Sequence, residues 1–264
     1  MTLQLGDVET TALIPVAIKA NETLRKKPRV KDEVAVEIIK NLEIDTKPFD
    51  KFMSHEGVIA RTIMLDRMVK DFISKNPDAI IVNVGAGFDN RFSRVDNGRI
   101  SWFDLDFADT IAARKKVISE TERVKMIEGN CLEESWCRTV KGEILKNKAS
   151  VLFLAEGVFM YLTLEEISCF LRILKNNFPK GTLIAEQNNP LMVKNQKYHD
   201  TVKATSAVFK SGTWSGKEIA DLCQGISFVE EHSINEEMRK HSFGGWLFAT
   251  LLPNMNDRLA RFEW

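Results

Sequence analysis

Apolar residues along the chain first recur at helical spacing and then, from Ala79 onward, gather into short continuous runs. In EGVIARTIMLDRMVKDFISKN, Glu56 to Asn76, the residues Val58, Ile59, Ile63, Met68, Val69 and Phe72 fall mostly on one side of a long helix. VETTALIPVAIKANETLRKK and KDEVAVEIIKNL, upstream of it, carry the same period, so the first third reads as helices without strands. AIIVNV, ISWFDLD, VKMIEG, SVLFLAE and GTLIAEQ then read as strands, with helices such as TLEEISCFLRILKNNF between them. Strands alternating with helical crossovers predict an α/β fold, a doubly wound and mainly parallel sheet. ISFVEEHSI and GWLFATLLP in the tail read as two further strands that pair as an antiparallel edge, for seven in all. The expected organisation is a single domain over residues 1–264: a helical cap at 1–78, a cofactor-binding core at 79–187, and a substrate lid with closing strands at 188–264.

In such a sheet ligands bind beyond the carboxyl ends of the strands, where strand order reverses. Strand one ends in Gly85-Ala86-Gly87, strand two in Asp104-Leu105-Asp106, strand three in Gly129-Asn130-Cys131 and strand four in Glu156-Gly157. Together they describe a pocket for a cofactor with sugar hydroxyls and an amine. A nicotinamide dinucleotide is the nearest competitor, yet Asn90 stands at the third glycine position of its fingerprint, and Phe88 and Asp89 crowd the turn. A carboxylate beside two phosphates is repulsive. S-adenosylmethionine carries a sulfonium and an ammonium and no phosphate, and suits an acid-lined turn better.

Composition narrows the partners. With 37 basic and 37 acidic residues the formal charge is zero, so no overall field draws the chain to nucleic acid or an anionic membrane, and a small-molecule partner is expected. No apolar run approaches the ~20 residues that span a bilayer, and the opening residues, with Asp7 and Glu9, lack the features of a signal peptide. Cys131, Cys137, Cys169 and Cys223 form no CxxC pair and have no His at ligand spacing, so neither a metal site nor a disulfide framework is expected, and a reduced, cytoplasmic setting fits.

The segments VNVGAGFDNRF, WFDLDFADTIAARKKVI and LFLAEGVFMYLTLEE, with IARTIMLD upstream, resemble the leucine carboxyl methyltransferase superfamily, nearest its bacterial branch grouped with the tetracenomycin polyketide O-methyltransferase. The resemblance runs from about Asp7 to Phe178 and is looser beyond Gly181. It implies a class I, Rossmann-like S-adenosylmethionine-dependent O-methyltransferase that transfers a methyl group to a hydroxyl or carboxylate oxygen of a small, polyketide-like molecule. It also implies roles. Arg61 takes the position of the arginine that holds the methionyl carboxylate, a task for a planar guanidinium. Gly85, Ala86 and Gly87 lie where the backbone approaches the methionyl and ribose parts, and Asp106 matches the acid that receives the ribose hydroxyls. Asp104 is the second choice, two residues earlier and so on the same face of the strand. Asn130 and Cys131 match positions around the adenine. Glu156 sits in an apolar run where an unpaired carboxylate costs several kcal/mol, and the resemblance sets it beside the methionyl amine.

Two other readings stand beside this one, a NAD-binding oxidoreductase and a binding module without turnover. A carboxylate acceptor needs no base, whereas a phenol gains from one; His199, His232 and His241 carry no signature that marks any of them as that base. Water must be kept from a sulfonium, and the helical N-terminus together with Asn188 to Trp214, rich in apolar residues from Leu191 to Trp214, is expected to form a lid.

Overall fold

A computed structural model of the protein describes residues 7–196, 208–254 and 256–264. The five apolar runs become β1 (Ile80–Val84), β2 (Ser101–Asp106), β3 (Val124–Glu128), β4 (Val151–Ala155) and β5 (Thr182–Gln187), all parallel. β1, β4 and β5 are buried along their whole length, as befits strands covered on both faces. Alternate residues serve opposite layers. Ile80, Val82 and Val84 pack toward Phe153, Phe170 and Phe178, while Ala79 and Ile81 pack toward Leu65, Val69 and Trp102. The helix Leu164–Asn177 on the first face begins at a capping box, with Thr163 Oγ1 accepting from the Glu166 N–H and the Glu166 carboxylate accepting from the Thr163 N–H.

The sheet has seven strands in the order β3-β2-β1-β4-β5-β7-β6, where β6 is Ser227–Ser233 and β7 is Arg258–Glu263. Both edge pairings, β5 with β7 and β6 with β7, are antiparallel. The expected edge of the sheet is therefore present, but one of its strands is not the segment foreseen. GWLFATLLP lies mostly in a helix, Phe243–Leu251, whose first turn is closed by Ser242 Oγ accepting from Gly245 N at 3.0 Å. Gly245 and Ala249, four residues apart, face inward, and Phe243, Trp246, Leu247 and Leu251 are exposed. The slot beside β5 goes instead to RLARFE, because Leu259, Ala260 and Phe262 bury there and its arginines meet β6 acids, Arg258 with Glu231 at 3.4 Å and Arg261 with Glu230 at 3.3 Å.

Ahead of β1 come three helices, α1 (Asp7–Thr23), α2 (Glu33–Asn41) and α3 (Phe52–Lys75). α1 stops at Thr23 rather than running on to Lys27, because the following residues turn back: Arg29 N and Nε both donate to Glu22 Oε1, at 2.7 and 3.0 Å, and Asp32 N donates to Thr23 Oγ1 at 2.8 Å. Fully buried Glu22 also meets His55 Nε2 at 2.8 Å, and His55 Nδ1 meets Asp50 at 2.6 Å. Burial raises the Glu22 pKa, but hydrogen bonds from Arg29 and His55 outweigh it and bring the group from 4.5 to about 2. A carboxylate depressed in the folded state stabilises above its unfolded pKa and loses that contribution as pH falls. Glu22→Gln is therefore expected to unfold at lower temperature near neutrality and to show a flatter melting profile between pH 4.5 and about 2 than the parent chain, in thermal scans across that window.

Candidate active site

The reversal of strand order falls between β1 and β4. A cavity of about 950 Å³ opens at their carboxyl ends, where Gly85, Asp106, Asn130, Glu156 and Glu186 all contribute to its wall. Its size is at the upper end of the ~300–1,000 Å³ usual for small-molecule sites, enough for a second ligand beside a cofactor. α1 supplies Ile14, Val16 and Lys19 to the wall, α3 supplies Met53, Val58 and Arg61, and the segment after β5 supplies Met192, Phe209 and Lys210. Val208 and Trp214, expected among the lid's apolar residues, are 60% and 55% exposed. Tyr198 and His199 lie outside the described residues.

The turn after β1 is shaped by two left-handed glycines, Gly85 with φ +64° and Gly87 with φ +49°. A Cβ on Gly85 would sit 2.6 Å from Val158 Cγ2, so the residue needs both the dihedral and the space. Gly87 N donates to Asp106 Oδ2 at 2.8 Å and Phe107 N to Asp106 Oδ1 at 2.8 Å, which fixes this carboxylate on the cavity wall. Burial raises its pKa against the hydrogen bonds from Gly87, Phe107 and Thr110 and the charge of Arg114. Asp106→Asn is expected to weaken S-adenosylhomocysteine binding by about 1–3 kcal/mol, read by calorimetry, and to lower the melting temperature, since the amide offers one oxygen to the two N–H groups that the carboxylate serves.

Asp104 does not reach the cavity. Trp102 Nε1, Asn83 Nδ2 and Arg114 Nη2 donate to it at 2.9, 3.0 and 2.7 Å, and this fully buried carboxylate instead ties β1 and β2 to the helix that follows. Asn130 forms a local turn, its Oδ1 accepting from Leu132 N at 3.0 Å, and lines the cavity with Cys131. Burial pushes the Cys131 thiol up to about 11, so it is a neutral wall residue rather than a nucleophile.

Glu156 and Glu186 end adjacent strands, because Ala155 is in register with Ala185. Arg61 lies between them, with Nη1 donating to Glu186 at 2.9 and 3.0 Å and Nε 2.8 Å from Glu156 Oε1. Burial opposes the charge on Arg61, and the two carboxylates restore it. Glu156 also takes Arg91 Nη2 at 2.7 Å. Arg91 then reaches Asp66 at 2.8 Å and Asp89 at 3.0 Å, Lys19 meets Asp89 at 2.6 Å and Asp32 at 3.4 Å, and Arg94 joins Asp32 to Asp66 at 2.7 Å each. Four cations, Lys19, Arg61, Arg91 and Arg94, thus meet five carboxylates, Asp32, Asp66, Asp89, Glu156 and Glu186. The network holds one net negative charge.

Sequence reasoning missed Glu186, Arg91, Lys19 and Asp257, which the fold gathers in or behind the cavity wall. One signal was available: GTLIAEQ ends an apolar run in Ala-Glu as SVLFLAE does, so the argument applied to Glu156 applies equally to Glu186. Among the histidines, His232 and His241 pair with Glu236 and Glu237 and do not line the cavity.

A family profile described as leucine carboxyl methyltransferase matches residues 12–175. The chain belongs to the leucine carboxyl methyltransferase family. It is accordingly a methyltransferase that uses S-adenosylmethionine. The chain is similar to the tetracenomycin polyketide synthesis O-methyltransferase TcmP of Streptomyces glaucescens, 25% identical over 88% of this chain and 85% of that one. The S-adenosyl-L-methionine-dependent methyltransferase dpfgK of Gibberella zeae is also 25% identical, over 94% and 89%. Among solved structures, a DUF574 family protein from Streptomyces avermitilis shares the fold with a TM-score of 0.60 at 11% identity, covering 96% of both chains. The site of this leucine carboxyl methyltransferase relative suits the cofactor on its own terms. S-adenosylmethionine carries a sulfonium, an ammonium and a carboxylate, and its single net positive charge matches the network's single negative one. A dinucleotide would instead bring phosphates against Asp89, Asp106 and Glu156.

Proposed function

We propose that this methyltransferase acts on an oxygen atom, a hydroxyl or a carboxylate, of a small polyketide-like molecule. The observation that carries this reading is one cavity whose wall joins charged residues, Arg61, Asp106, Glu156 and Glu186, to apolar ones that include Met53, Val58, Phe209, Met238 and Phe248. On this reading Asp106 receives ribose hydroxyls, Arg61 turns toward the methionyl carboxylate, Glu156 receives the amine, and Asn130 and Cys131 border the adenine. The bound cofactor supplies an activated methyl group. The protein aligns the acceptor oxygen with it and keeps water out, α1 and the segment after β5 forming the cover. TcmP, an O-methyltransferase of polyketide synthesis by name, supports the choice of acceptor class. Among the described residues no helix is long and apolar enough to cross a membrane, and all four cysteines are free thiols, in keeping with a cytoplasmic setting.

The test is calorimetry with S-adenosylhomocysteine and with NADH, followed by transfer of a labelled methyl group to a panel of phenols, alcohols and carboxylic acids. Binding of S-adenosylhomocysteine alone, with one methyl appearing on oxygen, is expected. Products methylated only on nitrogen or carbon would overturn the oxygen assignment.

A further inference from the structure

Among the described residues five glycines stand on the cavity wall: Gly57, Gly85, Gly87, Gly129 and Gly157. Four of them are accounted for by the chain itself. Gly85, Gly87 and Gly157 hold φ of +64°, +49° and +66°, where a side chain is strained, and a Cβ on Gly129 would press on Leu105 Cδ1 at 3.3 Å and Trp136 Cβ at 3.6 Å. Gly57 has neither reason. It lies inside α3 with helical backbone, and apart from its chain neighbours and the adjoining turns of α3 backbone, a Cβ there would meet no heavy atom of the described residues within 4 Å. Glycine inside a helix is a poorer helix former than alanine, and nothing in the packing calls for it here.

The notch this leaves has a defined place. Along the strand order the wall presents Asn130 after β3, Asp106 on β2, Gly85 after β1 and Glu156 after β4, and Arg61 comes next, between Glu156 and Glu186 at the ends of β4 and β5. Met53, Gly57 and Arg61 are four residues apart, so they line one face of α3 at intervals of roughly 6 Å. Met53 in turn packs, with Phe248, on a cluster of Ala60, Ile234, Met238 and Ala249. Gly57 therefore stands one turn beyond the arginine, where the charged wall gives way to the apolar one.

We propose that Gly57 determines acceptor specificity: the space beside it receives a flat ring of the acceptor, which lies against the bare backbone of α3. This rests on the reading above, in which the methionyl carboxylate turns to Arg61 and the acceptor is a small polyketide-like molecule. On that reading the cofactor's polar groups have their partners at the strand ends, and the apolar wall past Gly57 is left to the acceptor. A planar ring can come to van der Waals distance of a peptide face that lacks a side chain over much of its area, whereas a Cβ would hold it off.

Gly57→Ala tests this, with Gly142→Ala as its control. Gly142 lies exposed in the helix Cys137–Asn147, off the cavity wall, and a Cβ there likewise meets no heavy atom of the described residues within 4 Å beyond its own helix. Both variants are expected to melt at or above the parent temperature and to bind S-adenosylhomocysteine within about twofold of the parent, because alanine is the better helix former and neither Cβ meets protein. 2-Naphthol, followed by its own fluorescence, is expected to bind the S-adenosylhomocysteine complexes of the parent and of Gly142→Ala equally. Gly57→Ala is expected to bind it about tenfold more weakly, the scale of one methyl forced into a filled contact, and Gly57→Leu not measurably. Equal naphthol affinity in the parent and Gly57→Ala, a parent complex that does not bind naphthol, a loss of S-adenosylhomocysteine affinity as large as that for naphthol, or a Gly57→Ala variant that melts below the parent overturns the proposal. Products methylated only on nitrogen or carbon would overturn the oxygen reading and leave these affinities to decide on Gly57. Failure of the parent to bind S-adenosylhomocysteine would count against the cofactor assignment, and the same naphthol titrations of the free protein then decide.

Discussion

Arg91→Met is expected to destabilise the protein by about 3–5 kcal/mol, the usual consequence of removing one partner from a buried ionic network. Only 1% of the Arg91 side chain is exposed, and its guanidinium touches Asp66, Asp89 and Glu156 at once. Methionine keeps much of the length and apolar surface, so the loss isolates the charge. Three carboxylates then lie close together with fewer cations to answer them. Asp89, now held well below its ordinary range by Arg91, Lys19 and Arg94 against burial, would rise. The deficit should therefore shrink as pH is lowered and these carboxylates take up protons. Denaturant unfolding at several pH values measures both effects, and a loss below about 1 kcal/mol at neutrality would show that water or rearrangement replaces the guanidinium.

Arg61→Lys is expected to weaken S-adenosylhomocysteine binding by about 2 kcal/mol, roughly thirtyfold, while the chain still folds. Arg61 spans two strand ends, meeting Glu186 through Nη1 and lying 2.8 Å from Glu156 through Nε. A lysine can satisfy one carboxylate but not both and still reach a ligand. Its retained charge keeps Glu186 from being stranded, so melting should fall less than in Arg61→Ala. Calorimetry and thermal scans on the two variants separate the roles: equal affinity in the parent and in Arg61→Lys would place the anchor of the methionyl carboxylate elsewhere.

Much of this was legible because parallel strands buried on both faces leave an unambiguous run of apolar residues, and such runs end where ligands bind. Gly85, Asp106 and Asn130 were found that way, each at a strand end and each on the cavity wall. Asp104 was harder to place, since its period-two relation to Asp106 says nothing of Arg114, ten residues on and one helix away, which claims it. The Phe243–Leu251 helix was misread because a short, mainly apolar stretch fits strand or helix equally, and only the competition for the slot beside β5 decides. Arg91 and Lys19 were invisible for a related reason: each acts on a residue remote in sequence, through contacts that exist only once the layers have packed.

The strand order bears on how the chain assembles as it is made. β7 is the last strand in sequence, yet it lies between β5 and β6. During synthesis the parallel half, with its glycine turn and Asp106, can form while β6 has emerged but has no partner in the sheet. Until residues 258–263 leave the ribosome, the β5 edge stays bare, an open row of backbone donors and acceptors of the kind that captures other chains. Asp257 arrives with that closing strand. A nascent chain can therefore shape the strand ends that line its cavity before Asp257 joins that wall.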